Sequence, residues 1–265
     1  MISRDMKLNF YKYHGTGNDF ILIDNRDGSI QLDPTQISFL CNRHFGIGAD
    51  GLLMLTRSSK AEFRMIYFNA DGFEGSMCGN GGRCIASFAN KLGIAGESMI
   101  FEAVDGLHEA MIMEKRKNEA MVLIKMQNVS GIKQIDDKLL INTGSPHLII
   151  RTNDLPQVDV ETEGQRLRFD KSISEEGVNV NFISIHNELI QIRTYERGVE
   201  HETLSCGTGV TAAGIAASWW HGGRQFTVRT LGGDLQVSFT KQGSDFTDIQ
   251  LLGPAQYVFK GEINV

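Results

Sequence analysis

The segment SCGTGVTAAGIAASWWHGG, residues 205–223, decides the fold. From Gly207 to His221 it contains no acidic residue, and its side chains are small or apolar nearly all round. A surface helix carries a polar face opposite an apolar one. This one does not, so the helix it predicts is enclosed, ending at Gly222–Gly223. A sheet curled around one central helix provides that enclosure. The first half of the chain echoes the motif in MCGNGGRC, residues 77–84, which opens GNGGRCIASFANKLG with Gly93 at its end. Both motifs place a cysteine, Cys78 or Cys206, before Gly-x-Gly and a helix start.

The echo extends outward from the cysteines. HGTGNDF precedes a strand in the first half and TGSPHLI in the second, and the spacings Gly15-to-Cys78 and Gly144-to-Cys206 agree to within one residue. Glu74 and Glu202 each lie four residues before their cysteine. Several coincident spacings imply a duplicated domain. The junction is expected near 125–131. Alternating apolar residues predict strands at 8–14, 19–25, 62–69, 119–126, 138–144, 147–152, 179–185, 189–196, 225–230 and 234–240. Their close spacing favours antiparallel or mixed sheet. DPTQISFLCNRHFG predicts a further helix, with Asp33 as N-cap, Pro34 in the first turn and Gly46 beyond its end, and VETEGQRLRF predicts another.

The chain has 265 residues, 41% hydrophobic and 22% charged, with a formal net charge of −6. That is the composition of a globular protein, and without a basic patch it argues against a nucleic-acid partner. No apolar run approaches the ~20 residues of a membrane span. The N-terminal residues lack the apolar core of a signal peptide, so no membrane association and a cytoplasmic location are expected. Four cysteines in this length form no disulfide framework. Cys78 and Cys84 have the spacing Cys-x5-Cys with no nearby histidine, so no metal site is expected. Cys41 and Cys84 read as buried small hydrophobes.

Cys-Gly-x-Gly at a helix start has chemical consequences. The leading N–H groups of the helix lack intrahelical partners and receive anions such as carboxylates. The helix dipole favours a thiolate. Two such motifs acting on one ligand could hold a carboxylate and set a sulfur on each face of the carbon bearing it. One thiolate removes the α-proton and the opposite thiol returns a proton to the other face, which inverts the centre.

HGTGNDF, FNADG, MCGNGGRC, GSPH, EEGVNVNF, YERGVEHETLSCGTGV and the closing GPAQYVFKGEI together resemble the diaminopimelate epimerases, in family order over the whole chain. The resemblance implies an isomerase of lysine and peptidoglycan precursor biosynthesis. It would interconvert LL- and meso-2,6-diaminopimelate without pyridoxal phosphate or any other cofactor. The implied fold is α+β. Two similar domains are related by a pseudo-twofold axis, each a curved, mostly antiparallel or mixed sheet wrapped around a central helix. The implied boundaries are 1–127 plus about 255–265 for one domain and 128–254 for the other, with the active site in the cleft between them. Carried over by position, Cys78 and Cys206 are the acid/base pair, with Glu196 and His147 as catalytic polar groups beside the thiols. Gly79, Asn80, Gly207 and Thr208 receive the reacting carboxylate. Asn18, Asn69, Ser145 and Asn179 contact the substrate, Arg197 grips the distal carboxylate, and Glu196 also receives an ammonium. The expected partner is this small molecule, with a homodimer as the candidate assembly.

Three departures bear on the contacts. Ser145 stands where the family commonly has asparagine, the segment from Glu196 to Cys206 is one residue longer than usual, and Gly51 replaces a glutamine found in some members. Asn181, two residues after Asn179, is expected on the opposite sheet face. Two other readings compete. A proline or hydroxyproline racemase on the same fold typically has histidine after Cys-Gly, where this chain has Asn80. A non-catalytic amino-acid-binding or redox-sensing module would use the thiols as a switch.

Overall fold

The computed structural model describes residues 7–75 and 77–265; residues 1–6, part of the N-terminal stretch that lacks the apolar core of a signal peptide, and Ser76 lie outside the described residues. The chain divides into two compact units. One comprises the chain up to Ile124 together with Pro254–Val265, and the other Lys125–Gly253.

The first unit contains strands β1 (Lys7–Gly15), β2 (Asn18–Asp24), β3 (Gly51–Thr56), β4 (Phe63–Asn69), β5 (Ser98–Ala103), β6 (Gly106–Arg116) and β7 (Glu119–Lys125). Helix α1 (Pro34–Cys41) lies between β2 and β3, and α2 (Gly79–Lys91) between β4 and β5. In order, the strand pairs run antiparallel, parallel, antiparallel, parallel, antiparallel and antiparallel. The two parallel pairs are those whose connections carry the helices, because a parallel pair needs a long crossover.

The second unit repeats the scheme. Its strands are β8 (Lys133–Ile135), β9 (Lys138–Asn142), β10 (Pro146–Arg151), β11 (Asn179–His186), β12 (Leu189–Glu196), β13 (His201–Thr203), β14 (Gln225–Thr230), β15 (Gly233–Gln242) and the first part of β16 (Asp245–Asn264). Helix α3 (Val160–Arg168) lies in the β10–β11 crossover and α4 (Gly207–His221) in the β12–β14 crossover. From β9 onward, leaving β13 aside, the pairs run antiparallel, parallel, antiparallel, parallel, antiparallel and antiparallel, as in the first unit. The Phe68–Glu74 bridge after β4 is matched by the Tyr195–Glu202 pair of β12 and β13. The duplication read from the cysteine spacing is thus a duplication of strand order and direction.

Each unit has an enclosed helix. In α4 every residue from Val210 to Ser218 is buried. Its small residues let the sheet approach closely: a Cβ on Gly214 would lie 2.2 Å from Val237 Cγ1. The hydroxyls in this interior are satisfied within it, Thr211 donating to Gly207 O and Ser218 to Gly223 O. Helix α2 ends as the sequence predicts. Gly93 has φ +69°, its N–H donates to Asn90 O, and Ile94 N–H donates to Ala89 O, the paired bonds of a glycine-terminated helix.

Helix α1 starts as predicted, with Asp33 accepting from Gln36 N–H and the Gln36 side chain from Asp33 N–H. It stops at Cys41, short of the expected end near Gly46. Asn42 Oδ1 accepts from the N–H groups of His44 and Phe45, competing with the helical ladder. The turn also brings Gly46 so close to Phe39 O that a Cβ there would sit 2.0 Å away. The sequence pattern missed β3 because it is buried on both faces. Leu52 and Met54 join Ile37 and Leu40 of α1, while Leu53 lies against Gly81 of α2. A strand covered on both sides loses its polar alternation. β16 was missed because Gly253-Pro254 reads as a break, yet the strand runs through it and pairs with β1 from Gln256 to Asn264.

Candidate active site

Cys78 is the N-cap of α2 and Cys206 the N-cap of α4, both in extended backbone. Helices favour Ser, Thr, Asp or Asn at this position, because the side chain caps an N–H for about 1 kcal/mol. Neither cysteine makes that bond, so both positions forgo local stability. The first ladder bonds run from Gly82 N–H to Cys78 O and from Val210 N–H to Cys206 O. The amides of Gly79, Asn80, Gly207 and Thr208 therefore lie ahead of the ladder, where an anion is received.

In the first unit Asn18, at the start of β2, meets the helix. The Cys78 thiol lies 3.7 Å from Asn18 Oδ1 and donates to it, and Asn80 Nδ2 donates to the same oxygen at 3.2 Å. Asn18 Nδ2 donates to Asp50 at 2.8 Å. Behind Asn80 lies Arg83, wholly buried. Its guanidinium donates to Asn80 Oδ1 at 2.9 Å, Gly79 O and Pro254 O at 3.3 Å, and Thr16 Oγ1 at 3.4 Å. All four acceptors are neutral. Burial pulls the Arg83 pKa down to about 10, still a cation at neutral pH, one turn behind the Cys78 position. Arg83 thus fixes the amide of Asn80, which in turn fixes Asn18 beside the thiol. Sequence reading gave Arg83 no role; its signal is a lone charge inside a run of small residues. Asn69 ends β4, where its N–H donates to Phe73 O. Gly51 has no room for a side chain: a Cβ would sit 2.6 Å from both Phe68 O and the Tyr67 ring.

In the second unit Cys206 Sγ lies 3.3 Å from Thr208 Oγ1, and Thr208 Oγ1 lies 3.0 Å from His147 Nε2. His147, on β10, is wholly inaccessible. Burial pushes its pKa down to about 3, and the nearby charge of Arg197 acts in the same direction; the ring is neutral at pH 7. Asn179 Nδ2 donates to Ser145 Oγ at 2.8 Å and to Pro146 O at 3.1 Å, while its Oδ1 accepts from Arg197 N–H at 2.9 Å. Ser145 is therefore engaged with Asn179. Glu196 ends β12 and accepts from Thr203 Oγ1 at 2.9 Å. The Arg197 guanidinium approaches Glu176 at 3.9 Å. The longer segment after Glu196 forms a turn closed by Glu200 N–H to Glu196 O and held by the Arg168–Glu200 ion pair.

Asn181 corrects the expectation. Residues two apart in a strand share a face, so Asn181 lies on the same side as Asn179. It is wholly buried, with Nδ2 3.1 Å from His147 Nδ1. The other two cysteines are buried, and burial pushes Cys41 up to about 11 and Cys84 up to about 12, so both remain thiols. Among the described residues no cluster of His, Cys, Asp or Glu is placed to hold a metal, and no helix is long and apolar enough to cross a membrane.

The sequence pattern of the diaminopimelate epimerases matches residues 10–130 and 139–258, once over each half of the repeat. The chain belongs to the diaminopimelate epimerase family. A diaminopimelate epimerase of Flavobacterium psychrophilum is 46% identical over 97% of this chain and 100% of its own. One from Chlorobaculum tepidum is 42% identical over 95% and 99%. Among solved structures, a phenazine biosynthesis protein of the PhzF family from Bacillus anthracis superposes with a TM-score of 0.77 at 16% identity, covering 98% of this chain and 100% of that one. A probable proline racemase from Agrobacterium radiobacter gives 0.67 at 16% identity, covering 97% and 92%. At such identities these structures share the α+β fold with the diaminopimelate epimerase family and carry no statement of activity.

Proposed function

We propose that this chain interconverts LL- and meso-2,6-diaminopimelate by two-base proton transfer between Cys78 and Cys206. The observation that carries the reading is that both enclosed helices begin at a cysteine that forgoes its capping bond and has a polar side chain at its sulfur, Asn18 Oδ1 or Thr208 Oγ1. One sulfur starts as thiolate and takes the α-proton, and the C–H electron pair passes into the carboxylate-conjugated carbanion. The other sulfur starts as thiol and delivers its proton to the opposite face. One C–H bond breaks and one forms, one S–H forms and one breaks, so the scheme balances without a cofactor.

The carbanion is the costly species, and preorganised donors are the means of lowering it. The amides of Gly79, Asn80, Gly207 and Thr208 would hold the reacting carboxylate against two helix N-termini. Asn18, Asn69, Asn179 and Ser145 would contact the amino-acid groups. Glu196 would receive an ammonium, and Arg197 would grip the distal carboxylate through the bidentate geometry of its guanidinium. We place the activity in the cytoplasm, with a homodimer as the candidate assembly.

The test is a proton NMR time course in D2O with LL-diaminopimelate, no added pyridoxal phosphate, and L-proline as control. Loss of the α-proton signal with appearance of the meso isomer is expected from wild type and not from Cys78→Ala or Cys206→Ala. Exchange from proline alone, or from neither substrate with reduced enzyme, refutes the proposal.

A further inference from the structure

Behind Cys206 runs a chain of buried hydrogen bonds whose far end lies in the sheet. Asn181 Nδ2 is 3.1 Å from His147 Nδ1, 3.3 Å from Leu148 O and 3.4 Å from Asn179 O. The last two are main-chain carbonyls and can only accept. The amide atom facing them is therefore the nitrogen, and the opposite orientation would set oxygen against two oxygens. On the other side, Thr194 Oγ1 donates to Asn181 Oδ1 at 3.0 Å. Both Asn181 and Thr194 are buried, so water cannot substitute for either partner. A Cβ on Gly209 would come within 2.6 Å of Asn181 Oδ1, so the glycine of Cys-Gly-x-Gly also makes room for this amide.

The orientation has a chemical consequence. An NH2 group facing Nδ1 needs a lone pair there, so the neutral ring carries its proton on Nε2. That proton is then donated to Thr208 Oγ1 at 3.0 Å. Thr208 Oγ1 keeps one hydrogen to give, and Cys206 Sγ, 3.3 Å away, is in reach to receive it. A donor aimed at sulfur favours thiolate over thiol. At the other cysteine the arrangement is opposite, for Asn18 Oδ1 accepts from Cys78 and so favours thiol.

We propose that Asn181, held by Thr194, is a positioning residue for the epimerase reaction: it fixes His147 as the Nε2–H tautomer, so that Thr208 donates to Cys206 and makes it the resting thiolate. The inference rests on the function proposed above, but its primary readout does not require turnover. The charge that acts on His147 is that of Arg197, and its chain neighbour Glu196 ends β12. Both are left unchanged by the test.

Nitrogen-15 NMR of the full chain, with the His147 signals assigned by comparison with His147→Gln, reads the tautomer directly. Wild type is expected to show a protonated Nε2 and an unprotonated Nδ1 throughout pH 5–8. Asn181→Asp places an acceptor opposite Nδ1 and is expected to move the proton there. Cys206 should then lose its donor, and its alkylation by iodoacetamide at pH 7, followed by peptide mass spectrometry, should slow about tenfold. Alkylation of Cys78 should keep its rate. Thr194→Val removes only the hydroxyl that holds Asn181 Oδ1; it should shift the same two readouts in the same direction and keeps the test open if the aspartate variant folds poorly. A protonated Nδ1 in the wild type overturns the proposal, as does an unchanged tautomer and unchanged Cys206 reactivity in folded variants. If the tautomer is as stated but diaminopimelate is not epimerised, the functional reading fails while the positioning role stands.

Discussion

Lowering the pH from 7.5 to 5 is expected to cost the wild-type chain about 2 kcal/mol that His147→Gln does not lose. The magnitude follows from the burial of His147. Its ring is held neutral with a folded-state pKa of about 3, against an ordinary value of 6.5. Because the folded pKa lies below the unfolded one, the unfolded chain binds a proton first as the pH falls. Stability is therefore intact above pH 6.5 and is lost progressively between 6.5 and about 3. The loss is about 1.4 kcal/mol per pH unit over that window, so pH 5 lies about one and a half units into it. Urea denaturation of both proteins at pH 7.5, 6 and 5, followed by circular dichroism, measures the difference. Other groups titrate in this range, but they do so in both proteins and cancel in the comparison. Parallel pH dependences for the two proteins would refute the argument, since they would mean that His147 takes up its proton without unfolding.

Three further outcomes are expected. Gly214→Ala gains about 1 kcal/mol of helix propensity. It also drives a methyl onto Val237, buried and 2.2 Å away, at a cost of about 1–3 kcal/mol. Its melting temperature should fall by a few degrees and recover when Val237→Ala is added. Asp33→Ala removes the cap of α1 and should lower stability in urea by about 1 kcal/mol. Arg197→Gln should raise KM for diaminopimelate by about tenfold or more with a smaller change in kcat, as loss of a charged grip on the distal end predicts; steady-state epimerisation with a coupled assay reads both.

Much of the architecture was legible because it is written twice. Two glycine-rich helix starts, each preceded at matching distance by a glycine-containing motif that leads into a strand, mark the repeat. The enclosed nature of α4 was equally plain, since a segment without a polar face has nowhere else to go. What sequence reading missed follows from pattern loss. β3 is covered on both faces, and β16 passes through Gly253-Pro254. β6 carries Met111 and Met113 outward, which blurs its alternation. At the site, Cys78, Cys206 and His147 stood out by type and position. Arg83 and Asn181 did not, because they act through Asn80 and His147 and their importance lies in which atom of a neighbour they face.

The pairing of β1 with the end of β16 sets a timetable for the molecule. As the chain leaves the ribosome, the first unit has nearly all of its strands before the second is begun. β1 pairs with β2 on one side, but its other side has no partner until residues 256–264 emerge. An open edge is a template for pairing with other chains, so the first unit carries an aggregation hazard until the end of β16 closes it. Damage near residue 260 would be felt in that same early-made part. A tag or cleavage there is consequently an intervention in the first unit, despite its distance along the gene.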